Sequence, residues 1–178
     1  ETYLNIKGVD NLINACHHCF ASLYTDRAIK YRIDNQFQYE KIALSVGIQL
    51  MVRSDMACSG VAFTLDPDSG FENVVLISGS WGLGENVVKG NVDTDEFLIF
   101  KPFLNKNIDP IISKKLGGKK QTLIYNVDGD SELKIPTEAI TDIETPIEKQ
   151  KQFVLNDNEI CKLSEWAKII ELHYGRHM

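Results

Sequence analysis

The chain has 178 residues, of which 43% are hydrophobic and 25% are charged, a composition typical of a soluble globular protein and unlike that of a disordered one. Its formal net charge of −6 argues against nucleic acid as a partner. Its apolar runs fall well short of the roughly 20 residues that span a bilayer, so we expect one compact soluble unit and no membrane partner.

Two helices are predicted near the beginning of the chain. Apolar residues recur at intervals of three and four from Val9 to about Leu23, which is the spacing of one helix face. A short second helix follows, because Thr25 or Asp26 can cap its first backbone N–H groups. We expect its basic residues to be solvated or paired: Arg27, Lys30 and Arg32.

Strand-like runs dominate the middle of the chain. Turn residues such as Pro67 and Gly70 separate them, and a pair of glycines precedes the last run. The pattern predicts an α+β fold with a mixed or antiparallel sheet and flanking helices. The predicted strands are Ile42 to Val52, Gly60 to Leu65, Asn73 to Ile77, Phe97 to Phe100 and Gln121 to Tyr125.

The last third of the chain is predicted to be a connection followed by a helix. Residues 126 to 155 are rich in Asp, Glu, Pro and Lys, and Pro136 and Pro146 oppose long regular elements, so we expect an exposed connection. Asn156 and Glu159 have the spacing of a capping box, and Gly175 is placed to end the helix that they open.

Four cysteines are too few to predict a disulfide scaffold, and the sequence opens without a signal peptide. A reducing cytoplasm is therefore the expected location. The run Cys16-His17-His18-Cys19 suggests zinc, but at 100° per residue His18 points away from the two thiols. We favour core cysteines with exposed histidines and predict no metal site.

Two segments are candidates for binding a nucleotide. Ser78–Glu85 carries three glycines after a strand, which suits a phosphate or ribose near the backbone, although such loops are also plain turns. Its Glu85 is suited either to bind a sugar hydroxyl or to cap a turn. Gly47–Val52 places Gln49 among apolar residues, as a segment that contacts adenine would, but an ordinary buried strand has the same pattern.

Charged clusters offer weaker candidates. Lysines flank the glycine pair at 117 and 118 and suit either phosphate or a solvated turn: Lys114, Lys115, Lys119 and Lys120. Asp93, Asp95 and Glu96 are candidates for magnesium, but an exposed loop explains them equally, and we assign no metal ligand. The sequence shows no nucleophile beside a base and an orienting carboxylate, so we assign no catalytic residue.

Several stretches taken together resemble one family. Their order and spacing are similar to those of the phosphoenolpyruvate synthases, the pyruvate, water dikinases, over nearly the whole chain, with residues 126–155 the weakest part. The stretches are ETYLNIKG from Glu1, FASLYTDRAIKYR from Phe20, GIQLMVRSD from Gly47, SGVAFTLDPDSGF from Ser59, GSWGLGENVVKGNVDTDEF from Gly79 and HYGRHM from His173.

The resemblance implies an ATP-grasp nucleotide-binding domain, of which residues 1–178 would be an internal fragment. The lack of an initiator Met fits this expectation. In the family, the residues matching Gln49, Leu50, Met51 and Val52 would line the adenine, and Glu85 would face the ribose or phosphates.

The resemblance also implies what lies beyond this chain. The family's phosphate-binding lysine and arginine would precede Glu1, and its Mg²⁺-binding carboxylates would follow Met178. The four histidines lie outside the family's phosphohistidine motif, and His177 stands where the family has proline. The expected partners are therefore ATP with Mg²⁺ and the remaining domains of the same polypeptide, with pyruvate bound only by the intact enzyme.

The implied reaction is gluconeogenic. It converts pyruvate, ATP and water to phosphoenolpyruvate, AMP and phosphate through a phosphohistidine outside this chain, which by itself is expected to be inactive. Two alternatives stand beside it. One is a related dikinase or antibiotic phosphotransferase with another acceptor, and the other is a noncatalytic interaction module whose glycine loop is structural.

Overall fold

The structure is a computed structural model that describes residues 1–37, 42–126 and 139–178. These residues form two compact units. The helical unit contains residues 1–52 and 125–141, and the sheet unit contains residues 53–124 and 142–178. The expectation of one compact unit is therefore wrong.

The helical unit begins with the two predicted helices. α1 spans Val9–Ala21 and continues into a 3₁₀ turn, and α2 spans Asp26–Asp34. The Thr25 hydroxyl caps α2 by accepting a hydrogen bond from the Ala28 N–H at 3.4 Å. Of the three basic residues on α2, Lys30 pairs with Asp34 at 3.2 Å, whereas Arg32 is buried.

The strand predicted over residues 42–52 is wrong. Larger apolar residues alternate along this segment with smaller or polar ones, as in a strand. A strand forms, however, only when its backbone groups hydrogen-bond to a neighbouring strand, and among the described residues no strand pairs with this segment. The segment instead has no regular secondary structure and is largely exposed, with Leu50 97% exposed. The ordinary buried strand expected at Gly47–Val52 is wrong for the same reason.

The sheet unit is built around a four-stranded antiparallel sheet with its strands in chain order. The strands are β1 Cys58–Phe63, β2 Val74–Trp81, β3 Asp95–Phe100 and β4 Ile111–Lys115. The predicted strands correspond to β1, β2 and β3, and β4 was not predicted. The expected α+β fold with an antiparallel sheet and flanking helices is confirmed.

Strands β5, Gln121–Tyr125, and β6, Ile140–Glu144, form a second, two-stranded sheet. β5 has the predicted bounds. β6 and the short helix α4, Ile147–Gln150, lie where an exposed connection was expected: both are short and largely exposed, as expected, but they are regular elements rather than a plain connection. Pro136, which belongs to the same prediction, lies outside the described residues.

Helix α5, Asp157–Tyr174, covers one face of the four-stranded sheet. Both hydrogen bonds of the predicted capping box are present, at 3.0 and 2.8 Å, and Gly175 ends the helix with φ 64°. The helix buries Ile160 and Ala167 against the sheet, in a core that includes Val75, Ile77, Phe97 and Ile99. Full burial of a Val, Ile or Phe side chain contributes about 1.5–3 kcal/mol to the stability of the fold.

The segment after α5 returns to the end of β1. The Thr64 N–H donates to the Met178 carbonyl, and the Met178 N–H donates to the Thr64 hydroxyl, both at 2.8 Å. Among the described residues, no helix is both long and apolar enough to cross a membrane.

Candidate functional site

The helical unit contains a groove of about 800 Å³ that is lined by residues preceding α1, by one face of α1 and by the irregular segment 44–51. Its volume lies in the range of about 300–1,000 Å³ typical of ligand pockets. From α1 it is lined by Val9, Leu12, Ala15, Cys16 and Cys19. From segment 44–51 it is lined chiefly by Leu44, Val46, Ile48, Gln49, Leu50 and Met51.

The sequence of α1 explains its face of the groove. The lining residues recur at intervals of three and four, which brings them to one side of the helix. That stripe was expected to be a core face, but Cys16 and Cys19 are only partly buried and both line the groove. The prediction of core cysteines is therefore wrong, while His17 and His18 are exposed as expected.

Three of the four residues predicted to contact adenine line this groove. They are Gln49, Leu50 and Met51, whereas Val52 is 79% exposed and is not among the lining residues. Met51 is held in part by Tyr125, whose hydroxyl donates to the Met51 sulfur at 4.0 Å. The segment thus presents apolar side chains and one amide to the groove, a surface suited to a flat, weakly charged group.

The groove carries little charge. The charged residues that line it are Glu1 and Lys7, both of which precede α1 in the chain. Tyr3 adds a hydroxyl, and burial, followed by the negative charge of Glu1, raises the pKa of Tyr3 above its ordinary value. The Tyr3 hydroxyl therefore remains a neutral hydrogen-bonding group at neutral pH.

The glycine-rich segment lies in the sheet unit, and only part of it is a loop. β2 continues through Trp81, so Ser78–Trp81 is strand rather than the loop that was expected. At Gly82 φ is 84°, and an added Cβ would lie 2.4 Å from the Leu123 carbonyl oxygen. The Gly82 N–H donates to the Ala57 carbonyl and the Leu83 N–H to the Leu123 carbonyl. At Gly82, close packing of the protein's own backbone accounts for the glycine.

Glu85 begins α3, the short helix Glu85–Val88 that follows this loop. Its carboxylate pairs with Lys89 at 2.5 Å and is about one-third exposed. Gln49, Leu50 and Met51 belong to the helical unit and Glu85 to the sheet unit. The first three line the same groove, and Glu85 is not among its lining residues.

The acidic residues near β3 have protein partners rather than a shared ligand. Asp95 is fully buried, and its carboxylate accepts hydrogen bonds from the Lys119 ammonium and from the Gly117 and Val154 N–H groups, the last two at 2.8 Å. Asp93 accepts from the Gly118 N–H at 2.7 Å. The exposed acidic loop expected here is therefore wrong for Asp95.

The lysine cluster is likewise dispersed. Lys119 is fully buried on Asp95, Lys114 pairs with Asp157 at 2.7 Å, and Lys115 pairs with Glu96 at 3.3 Å. Neither a solvated turn nor a phosphate site describes Lys119. Among the residues that the structure describes, no group of three or more His, Cys, Asp or Glu side chains is placed to hold a metal ion.

Two features of the structure were not predicted from the sequence. The first is the wall that α1 contributes to the groove, since its apolar stripe was assigned to a core. The second is the buried Asp95–Lys119 pair, which joins residues 24 positions apart. The glycine pair Gly117–Gly118 was a sequence signal that this segment packs closely against another part of the backbone. An added Cβ on Gly117 would lie 2.3 Å from the carbonyl of Thr94, the residue before Asp95.

Comparison with known proteins adds family information to this geometry. Residues 1–178 match the family described as the pyruvate phosphate dikinase, AMP/ATP-binding domain. The chain is 49% identical to the phosphoenolpyruvate synthase of Aquifex aeolicus over 99% of its own length, 47% identical to that of Synechocystis over 98%, and 46% identical to that of Neisseria meningitidis over 100%. It spans about a fifth of the length of these curated relatives, 20%, 20% and 22% respectively.

Proposed function

This chain belongs to the pyruvate phosphate dikinase AMP/ATP-binding domain family, and from that membership we propose that it is the ATP-binding part of a phosphoenolpyruvate synthase. The groove of the helical unit is the observation that carries the proposal, because it gathers Gln49, Leu50 and Met51, three of the four residues that the family resemblance assigns to the adenine. We propose that residues 1–178 belong to an ATP-grasp domain.

The proposed role of the groove is to bind the adenine and leave the phosphates to other groups. Its lining is chiefly apolar, with the Gln49 amide and the Tyr3 hydroxyl as neutral polar groups. Such a surface stabilises a flat base by apolar burial and fixes its orientation with few hydrogen bonds. Val52 would then border the adenine segment without lining the groove itself.

Glu85 is proposed to face the ribose or the phosphates. Its carboxylate is about one-third exposed at the beginning of α3, and it accepts hydrogen bonds, as binding a ribose hydroxyl requires. Lys89 accompanies it and would offset its negative charge near a phosphate.

The magnesium that accompanies ATP is proposed to be held by residues outside this chain. Asp93, Asp95 and Glu96 do not fit it, because each already has its own N–H or ammonium partner.

In the whole protein, the proposed reaction converts pyruvate, ATP and water to phosphoenolpyruvate, AMP and phosphate through a histidine beyond these 178 residues. Phosphoryl transfer depends on positioning and on neutralising charge. The part proposed for this chain is positioning: it orients the nucleotide while other domains supply the acceptor and most of the cations. We place the protein in the cytoplasm as part of the same proposal.

Calorimetric titration with ATP and Mg²⁺ tests the proposal, using this chain and a version extended at both ends. Leu50→Asp and Leu172→Asp form a matched pair, since the two leucines are 97% and 71% exposed and only Leu50 lines the groove. We expect the extended protein to bind ATP, Leu50→Asp to weaken binding by about tenfold or more, and Leu172→Asp to leave it unchanged. Absence of binding by the extended protein would instead support the noncatalytic interaction module.

A further inference from the structure

The groove contains two reactive groups that adenine binding does not use. Cys16 and Cys19 lie three residues apart on α1, both line the groove, and both are partly exposed free thiols. The other two cysteines, Cys58 and Cys161, belong to the sheet unit. Two thiols therefore share one wall of a ligand-sized space with Gln49, Leu50 and Met51 on the opposing segment.

We propose that Cys16 and Cys19 form a thiol-modification site for small disulfides, and that a modified groove excludes the nucleotide. The inference rests on the proposed function, because it concerns regulation of the same groove. A substituent on either sulfur would occupy part of the 800 Å³ groove and reduce the space left for the base. The consequence is a nucleotide site that is open in a reducing environment and closed in an oxidising one.

The chemical step is thiol–disulfide exchange. A Cys16 or Cys19 thiol loses its proton to solvent, and the resulting thiolate attacks one sulfur of the small disulfide. A new S–S bond forms as the old one breaks, and the departing thiolate carries away the electron pair. The small disulfide is the oxidant, and a free thiol such as glutathione reverses the reaction.

The helix geometry favours two separate mixed disulfides over one internal bond. Residues three apart on a helix have their Cβ atoms about 5–6 Å apart, whereas a disulfide requires about 3.5–4.5 Å. An internal Cys16–Cys19 bond would therefore distort α1. We expect the product to carry up to two adducts with α1 intact.

The sheet-unit cysteines supply an internal contrast. Burial, with a further contribution from nearby carboxylates, raises the pKa of Cys58 and of Cys161 above the ordinary thiol value. A raised pKa leaves less thiolate at neutral pH, and the thiolate is the form that reacts. Modification of these two thiols is therefore expected to be slow.

The test uses two double variants of the extended protein, Cys16→Ala/Cys19→Ala and Cys58→Ala/Cys161→Ala. Each is treated with oxidised glutathione, adducts at the four positions are located by peptide mass spectrometry, and ATP binding is measured before and after treatment and again after reduction. In proteins that keep Cys16 and Cys19, we expect glutathione on both thiols and at least a tenfold loss of ATP affinity, which reduction restores. In Cys16→Ala/Cys19→Ala, the same treatment should cause no loss of ATP affinity. Bound ATP should also slow the modification.

The outcomes separate this inference from the proposed function. If the untreated protein binds ATP and the Cys16 and Cys19 adducts leave its affinity unchanged, the inference is wrong and the proposed function stands. If these two thiols do not react while ATP still binds, the inference is equally wrong. If the unsubstituted protein and both double variants all fail to bind ATP before treatment, the proposed function is wrong and the inference is wrong with it.

Discussion

The apolar residues at the centre of the sheet unit and those that line the groove of the helical unit differ in exposure. In the sheet unit, Phe97, Ile99 and Ile160 are fully buried between the four-stranded sheet and α5. In the helical unit, Val9 is 72% exposed and Leu50 is 97% exposed, and both line a groove. The difference teaches that Phe97, Ile99 and Ile160 stabilise the sheet unit through burial, whereas the side chains of Val9 and Leu50 contribute little to a core.

The largest effect should come from the charge at the centre of the sheet unit. Asp95→Asn leaves the fully buried Lys119 ammonium without its carboxylate, and breaking one side of a buried pair costs about 3–5 kcal/mol. We expect a loss of that size in the free energy of unfolding, measured with chemical denaturant. The control is Glu96→Gln, since Glu96 pairs with Lys115 at the surface, where loss costs about 1 kcal/mol or less. Equal effects for the two variants would contradict a central role for Asp95.

A pair of truncations compares the two units directly. Ile160→Ala removes a fully buried side chain from the sheet unit and should cost about 2–5 kcal/mol. Leu50→Ala removes an exposed side chain from the helical unit and should change stability by about 0.5 kcal/mol or less. Thermal or chemical unfolding measures both. A large loss for Leu50→Ala would mean that the groove is a core and would remove the contrast.

A smaller effect is expected at the glycine loop. Gly82→Ala places a Cβ 2.4 Å from the Leu123 carbonyl oxygen at a φ of 84°, so we expect a loss of about 2–3 kcal/mol. Gly90→Ala is the matched control, because Gly90 also has positive φ, at 68°, but nothing lies within 4 Å of an added Cβ there. Its cost should be about 1 kcal/mol, from backbone strain alone. Similar losses at both sites would show that close packing at Gly82 contributes little.

The smallest effect concerns acid stability. Burial acts to raise the pKa of Glu171, but hydrogen bonds from Lys101 and His177 outweigh it and hold that pKa below its ordinary value. A lowered folded pKa gives stability that is present above the unfolded pKa and is lost as pH falls through the folded one. Glu171→Gln should therefore flatten the fall in unfolding free energy on the acid side.

Unfolding measured between neutral and acid pH checks this prediction. Glu165→Gln, on the same helix, is the control and should leave the slope nearly unchanged, because its lysine partner is 3.8 Å away and largely exposed. An unchanged slope in Glu171→Gln would show that the cluster around Glu171 does not contribute to acid stability.

The sequence correctly predicted helix ends, which depend on residues only a few positions apart. The capping box at Asn156, the stop at Gly175 and the cap at Thr25 each act within a few residues, and all three are present. The segment 42–52 was mispredicted because strand formation depends on a partner, which alternation within the segment cannot reveal. Asp95 and Lys119 were separated into two exposed clusters for the same reason, since their pairing depends on how β3 and the loop before β5 meet.

The candidate site likewise contains residues that were predicted to belong to a site and residues that were not. Gln49, Leu50 and Met51 were identified through a family resemblance, and they line the groove. Cys16 and Cys19 were assigned to a core, because periodicity shows that residues share a helix face but does not show what covers that face. The roles of these residues toward ATP remain predictions that ligand binding must test.

Hydrogen exchange on the extended protein, with and without ATP and Mg²⁺, tests the central claim most directly. We predict that ATP slows exchange in peptides covering residues 9–19 and 44–51, while the core peptides of β3 and α5 keep the same exchange. If ATP binds and protects only the sheet unit, or leaves residues 44–51 unchanged, the groove of the helical unit is not the adenine site.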